Sequence, residues 1–132
     1  MRTLLTFIVP ALLLAGCASR QPCAPGEQPA VAEILYFGTD RPGGAVRTEE
    51  WDDFLRASVT PRFPAGFTAW PASGQWRNAS GKIQQEASFV LSVVRPDDAE
   101  TDRAIRAIAA DYKARFRQES VLRVRSFACS SF

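Results

Sequence analysis

The chain has 132 residues, 46% of them hydrophobic and 23% charged, with 16 Lys+Arg against 14 Asp+Glu and no histidine. That balance is globular rather than disordered, the length suits one domain, and a net charge of +2 offers nucleic acid no basic surface. Without histidine there is no Ser-His-Asp or Cys-His nucleophile and no imidazole-ligated zinc or iron. Proton transfer would fall to Asp, Glu, Tyr, Lys or water.

The N-terminus reads as an address. Arg2 precedes an apolar run through Leu4, Leu5, Phe7, Ile8 and Val9 to Leu14. About a dozen apolar residues suit a secretory leader and fall short of the roughly 20 that span a bilayer. The run Leu14-Ala15-Gly16-Cys17 resembles the lipobox of bacterial lipoproteins. That resemblance implies removal of residues 1–16, lipid on Cys17 and a membrane as partner. Ala18 and Ser19, with no Asp after the cysteine, imply the periplasmic face of the outer membrane. Residues 17–30 then form the lipidated cysteine and a Pro-rich tether, whose extended reach beyond Cys17 is at most about 43 Å. Setting Cys17 aside leaves Cys23 and Cys129. An even pair in an exported chain points to one disulfide, with two free thiols as the alternative.

A single domain is expected over 31–132. Residues 31–38 are β-branched, aromatic and aliphatic and end at Gly38, the pattern of a buried strand. Asp40–Gly44 is a turn. Thr48 caps a helix with Glu49, Glu50, Asp52 and Asp53 at its positive end and Trp51, Phe54, Leu55 and Val59 on its buried face. Pro61 stops it. A stiff loop over 59–68 leads to short strand pieces at Phe67–Trp70 and Gln75–Arg77, interrupted by residues 71–74, then a hairpin at Ser80-Gly81. Residues 82–94 form the longest strand, with Ile83, Ala87, Phe89, Leu91 and Val93 on one face. Asp97 with Glu100 reads as a capping box for a second helix, whose stripe is Ile105, Ile108, Ala109, Tyr112 and Phe116. In residues 119–132, Leu122 and Val124 point one way and Arg123 and Arg125 the other. The order predicts an α+β fold of the ferredoxin-like split β-α-β-β-α-β type: a four-stranded antiparallel sheet with two helices on one face. The last strand would lie beside the first, which brings Cys23 and Cys129 together.

Several runs resemble one family: LYFGT (35–39), PGG (42–44), EEWDDFL (49–55), VTPRFPAGFT (59–68), GQWR (74–77) and QESVLRV (118–124), with Glu86 and Ser88. The chain resembles DUF3574, small bacterial lipoproteins or secreted proteins without a characterised activity. The resemblance implies no catalytic residue.

The sheet face away from the helices is expected to carry Glu33, Leu35, Phe37, Glu86, Ser88, Val90, Arg123 and Arg125. Three readings compete for it: a face that closes a homodimer, a pocket lined by Glu86, Arg123 and Arg125, or a solvated face with cross-strand pairs such as Glu33 with Arg123. Arg62, held between prolines, could grip an anion or lock its loop to a helix. Trp70 and Trp76 beside Arg77 could stack a planar ligand or simply pack a hairpin. The acidic groups at 49–53 and 97–102 complement helix dipoles rather than bind calcium, and neither metal nor cofactor is expected. The leading expectation is a non-catalytic, lipid-anchored envelope protein that binds or assembles. The alternative is a cofactor-independent enzyme of the dimeric α+β barrel type using Glu86, Tyr36 and an arginine.

Overall fold

The computed structural model describes residues 23–77 and 80–132. The leader and Cys17 lie outside the described residues. Strand β1 (Gln28–Gly38) starts inside the stretch whose composition reads as linker, because Gln28–Ala30 pair with Ala128–Ser130 and Ala30 is buried. A two-residue ribbon follows, β2 (Asp40–Arg41) with β3 (Gly44–Ala45). Its turn uses Gly43 and Gly44 at φ 91° and 129°, where a side chain would be strained. Helix α1 (Thr48–Phe54) is entered through Arg47, whose N–H donates to Glu50 Oε2 at 3.1 Å. It widens into one π-helical turn (Leu55–Val59), closed by the Thr60 N–H donating to the Leu55 carbonyl at 2.9 Å before Pro61 ends it.

Strand β4 (Thr68–Arg77) is continuous, where residues 71–74 were expected to interrupt it. Pro71 fits because β4 is an edge strand, so its missing N–H need not serve a second neighbour. Strand β5 (Ile83–Arg95) and helix α2 (Ala99–Phe116) follow. The α2 cap is Asp98, one residue later than Asp97. Asp98 Oδ1 accepts the Thr101 N–H at 2.7 Å and the Thr101 hydroxyl at 2.9 Å. The helix ends at Arg117 in the left-handed region, φ 56°, and β6 (Leu122–Ser130) completes the chain.

The four long strands form one antiparallel sheet in the order β4-β5-β1-β6, an α+β architecture. Cys23 and Cys129 are joined in a disulfide that ties the chain ahead of β1 to the end of β6. Both helices pack into one core against the sheet. Phe37 meets Trp51 at 5.1 Å and Tyr112 at 4.7 Å between ring centroids, and Trp51 stacks on Phe89 at 4.7 Å. The Tyr112 hydroxyl donates to the Gly38 carbonyl at 2.8 Å. Burial, then the nearby Glu86 carboxylate, raise its pKa above the ordinary tyrosine value.

Register decides which residues share a face. Leu35 lies opposite Leu91 and Phe37 opposite Phe89, and directly opposed residues point the same way. Glu33, Leu35, Phe37, Arg123 and Arg125 therefore belong to the helix-covered side, not to the open face where the sequence reading put them. Glu86, Ser88 and Val90 alternate onto the open face as expected.

Candidate functional site

Glu33 is the one acid in β1, and its side chain is fully buried. Arg95, at the end of β5, donates to Glu33 Oε1 from Nε at 3.0 Å and from Nη2 at 2.6 Å. Arg123 donates to Glu33 Oε2 from Nε at 2.8 Å, so these two residues do pair, but buried under the helices rather than on a solvated face, and its Nη2 reaches Asp102 Oδ1 at 2.6 Å. Arg106 also bonds Asp102, while Arg125 stands 3.7 Å from it and is largely exposed. Burial pushes Glu33 up, but the hydrogen bonds from Arg123 and Arg95 outweigh it and hold the carboxyl below its ordinary value. Hydrogen bonds from Arg123 and Arg106 hold Asp102 at about 2. Among the described residues every buried side-chain nitrogen and oxygen has a partner. The network closes on itself between β1, β5, β6 and α2 and aims no group at a ligand.

The other sequence candidates lie apart. Arg62 donates from Nη1 to the Ser58 carbonyl at 2.6 Å and stands 3.0 Å from Asp111 Oδ2, so it fastens the π-helical turn to α2. Glu86 Oε1 accepts the Asp40 N–H at 3.1 Å. It comes so near Gly38 that a Cβ there would lie 2.5 Å from Oε1, so the bare glycine is what admits the carboxylate. Tyr36 is four residues along β1–β5 from Glu86, about 13 Å at 3.3 Å per residue. Arg123 and Arg125 lie on the opposite side of the sheet from both. Glu86 and Tyr36 therefore stand apart on the open face, and neither Arg123 nor Arg125 joins them there. Trp70 and Trp76 share the open face of β4 but are six residues apart, and Arg77 alternates to the other side, so no aromatic clamp forms around it. Cys23, Glu27 and Cys129 cluster, but both sulfurs belong to the disulfide. An open depression of about 380 Å³ runs over Ser73–Gln75 and Gln85–Ala87.

What the sequence reading missed is the make-up of the open face. Trp70, Val90, Tyr36 and Leu122 stand directly opposite one another across all four strands. The next row is Thr68, Ser92, Ile34 and Val124, and beyond it Val94, Ala32 and Ser126. Val90 is 1% exposed at the centre, while Tyr36, Trp70, Val94, Leu122 and Val124 are 40–60% exposed. Among the described residues of the four strands, Glu86 is the one charged residue that alternates onto this face, and it sits at the margin. Alternation in β6 carried the signal, since Leu122 and Val124 must face away from the arginines.

No curated protein matches the sequence. Solved structures do resemble it. A phage SAM lyase in complex with S-methyl-5'-thioadenosine aligns with a TM-score of 0.56 at 13% identity, covering 87% of this chain and 97% of that one. CutA from Synechococcus elongatus PCC7942 aligns with a TM-score of 0.52 at 12% identity, covering 80% and 81%. At such identity the likeness is one of fold alone. The family model described as a protein of unknown function, DUF3574, matches residues 32–132, and the chain belongs to that family.

Proposed function

We propose that this protein is a lipid-anchored component of the bacterial envelope that works by binding through the open face of its sheet rather than by catalysis. The observation that carries this reading is the face itself: an apolar row of Trp70, Val90, Tyr36 and Leu122 across four strands, with Ile34, Val124, Val94 and Ala32 beyond it among small hydroxyl residues, and one charge at the margin among the described residues. A sheet face that only meets water alternates toward polar residues. An exposed apolar surface of this extent marks a contact site. The charged groups that could serve chemistry are held in internal pairs instead.

The lipobox resemblance supplies the anchor, and the disulfide shortens its leash. Cys23 lies six positions after Cys17, a reach of about 20 Å, less than half of what an open tether to residue 30 would allow. The domain would stand close to the bilayer with its Cys23–Cys129 end nearest. A radiolabelled fatty acid is expected to label the wild-type protein and pellet with it in membranes, while Cys17→Ser abolishes both. An unlabelled, soluble wild-type product would contradict the anchor.

A further inference from the structure

We propose that the open sheet face is where two copies of this chain meet, sheet against sheet, in a closed dimer. The proposal rests on the reading of that face as the binding surface and names its occupant.

Charge separates the occupants. A membrane surface selects a rim of Lys and Arg around an apolar patch. Here Arg123 and Arg125 alternate to the opposite side, and Glu86, an acid, marks the margin. A partner of stated charge would find almost nothing to pair with. An identical copy meets no such difficulty, because two faces without charge at their centres oppose each other with no like-charge contact.

The edges of the sheet argue for face-to-face contact over strand addition. Edge strand β4 carries Pro71, and edge strand β6 carries Arg123 and Arg125, devices that blunt edge pairing. Four strands at about 4.8 Å and the three rows at about 6.6 Å give at most roughly 380 Å² of flat area per copy. A pair covers about 760 Å² as flat area, and the relief of the protruding Tyr36, Trp70 and Leu122 side chains carries it toward the about 1,000 Å² of a specific interface. An isologous contact of this kind closes at two copies. If both copies are anchored, confinement to one membrane raises their effective concentration further.

Sedimentation equilibrium of the full chain in density-matched non-ionic detergent tests this, comparing wild type with Val124→Lys. Val124 is 47% exposed, so the lysine can be accommodated by the folded monomer, and equal thermal melts verify that. The wild type is expected at dimer mass, with the dimer dissociation constant raised about 10-fold or more in Val124→Lys, since one charge is added to each apolar face. A dimer indifferent to Val124→Lys, or a trimer, overturns the proposal. So does a wild type that stays monomeric to about 100 μM. If that monomer still has Tyr36 shielded from solvent in the envelope, only the second copy is excluded. If Tyr36 is unshielded as well, the reading of the face as a binding surface fails with it.

Discussion

Replacing Glu33 by alanine is expected to destabilise the domain by about 3–5 kcal/mol, the range for removing one partner of a buried ion pair. The Glu33 side chain is 0% exposed and that of Arg95 1%. Without the carboxylate, Arg95 keeps the Pro96 carbonyl at 2.8 Å, the Thr101 hydroxyl at 3.1 Å and only a longer contact to Asp102 Oδ1 at 3.4 Å, and loses its closest anionic partner. Thermal unfolding at pH 7 should fall by more than 10 °C, at about 4 °C or more per kcal/mol for a domain of this size. Arg106→Ala is the control. Its side chain is 71% exposed, so its loss should cost at most about 1 kcal/mol. The same network sets an acid limit. Carboxyls held below their ordinary values contribute stability that is complete above those values and is lost as pH falls through the folded ones. For Glu33 and Asp102 the ordinary values are 4.5 and 3.8, with Asp102 held at about 2, and a separate carboxyl, Glu50, is held at about 2 from 4.5 by Arg41 and Arg47 at the start of α1. Wild-type stability should therefore decline from about pH 4.5 down to pH 2, and less steeply in Glu33→Ala. A variant as stable as wild type, with the same acid profile, would contradict the structural role given to this network.

The second large effect belongs to the disulfide. It links residues 106 apart, and closing a loop of that length removes about 4–5 kcal/mol of chain entropy from the unfolded state. Native bridges of small exported domains deliver about 2–5 kcal/mol in practice. Replacing both Cys23 and Cys129 by serine is expected to cost that much in urea unfolding. It should also raise hydrogen exchange at the register Gln28–Ala30 with Ala128–Ser130, the pairs beside the bridge, more than at Leu35 with Leu91 in the centre. Unchanged stability under reducing conditions would remove the bridge from the account of the fold.

These residues also show how far the sequence can be read. Element order and the disulfide pairing follow from local patterns: an apolar strand ending at Gly38, an amphipathic α2, and a final strand that must return beside the first. Which side each strand presents does not follow so easily. A shift of one residue in register turns every side chain to the other face. Glu33 and Arg123 look like surface residues by type, and nothing near them in sequence announces Arg95, which lies 62 residues from Glu33 and resembles a helix opener next to Pro96. Yet an acid inside an otherwise apolar strand demands a cationic partner if buried, and opposing Leu35 to Leu91 fixes Glu33 on the core side. The continuity of β4 was hidden by Pro71 and Gly74, which read as turn residues unless the strand is known to lie at an edge. Asp98 rather than Asp97 is the helix cap, its carboxylate taking the Thr101 amide and hydroxyl together.

The proposed binding surface, the open side of the sheet with Glu86 at its margin, should be covered in the cell. Hydroxyl-radical footprinting tests it most directly, comparing the protein in intact envelopes with the same protein purified and diluted. Tyr36 and Trp70, 40% and 41% exposed in the isolated chain, should be protected several-fold in the envelope. Arg106, exposed on α2, should react equally in both. Equal reactivity of Tyr36 and Trp70 in the two preparations would contradict the account.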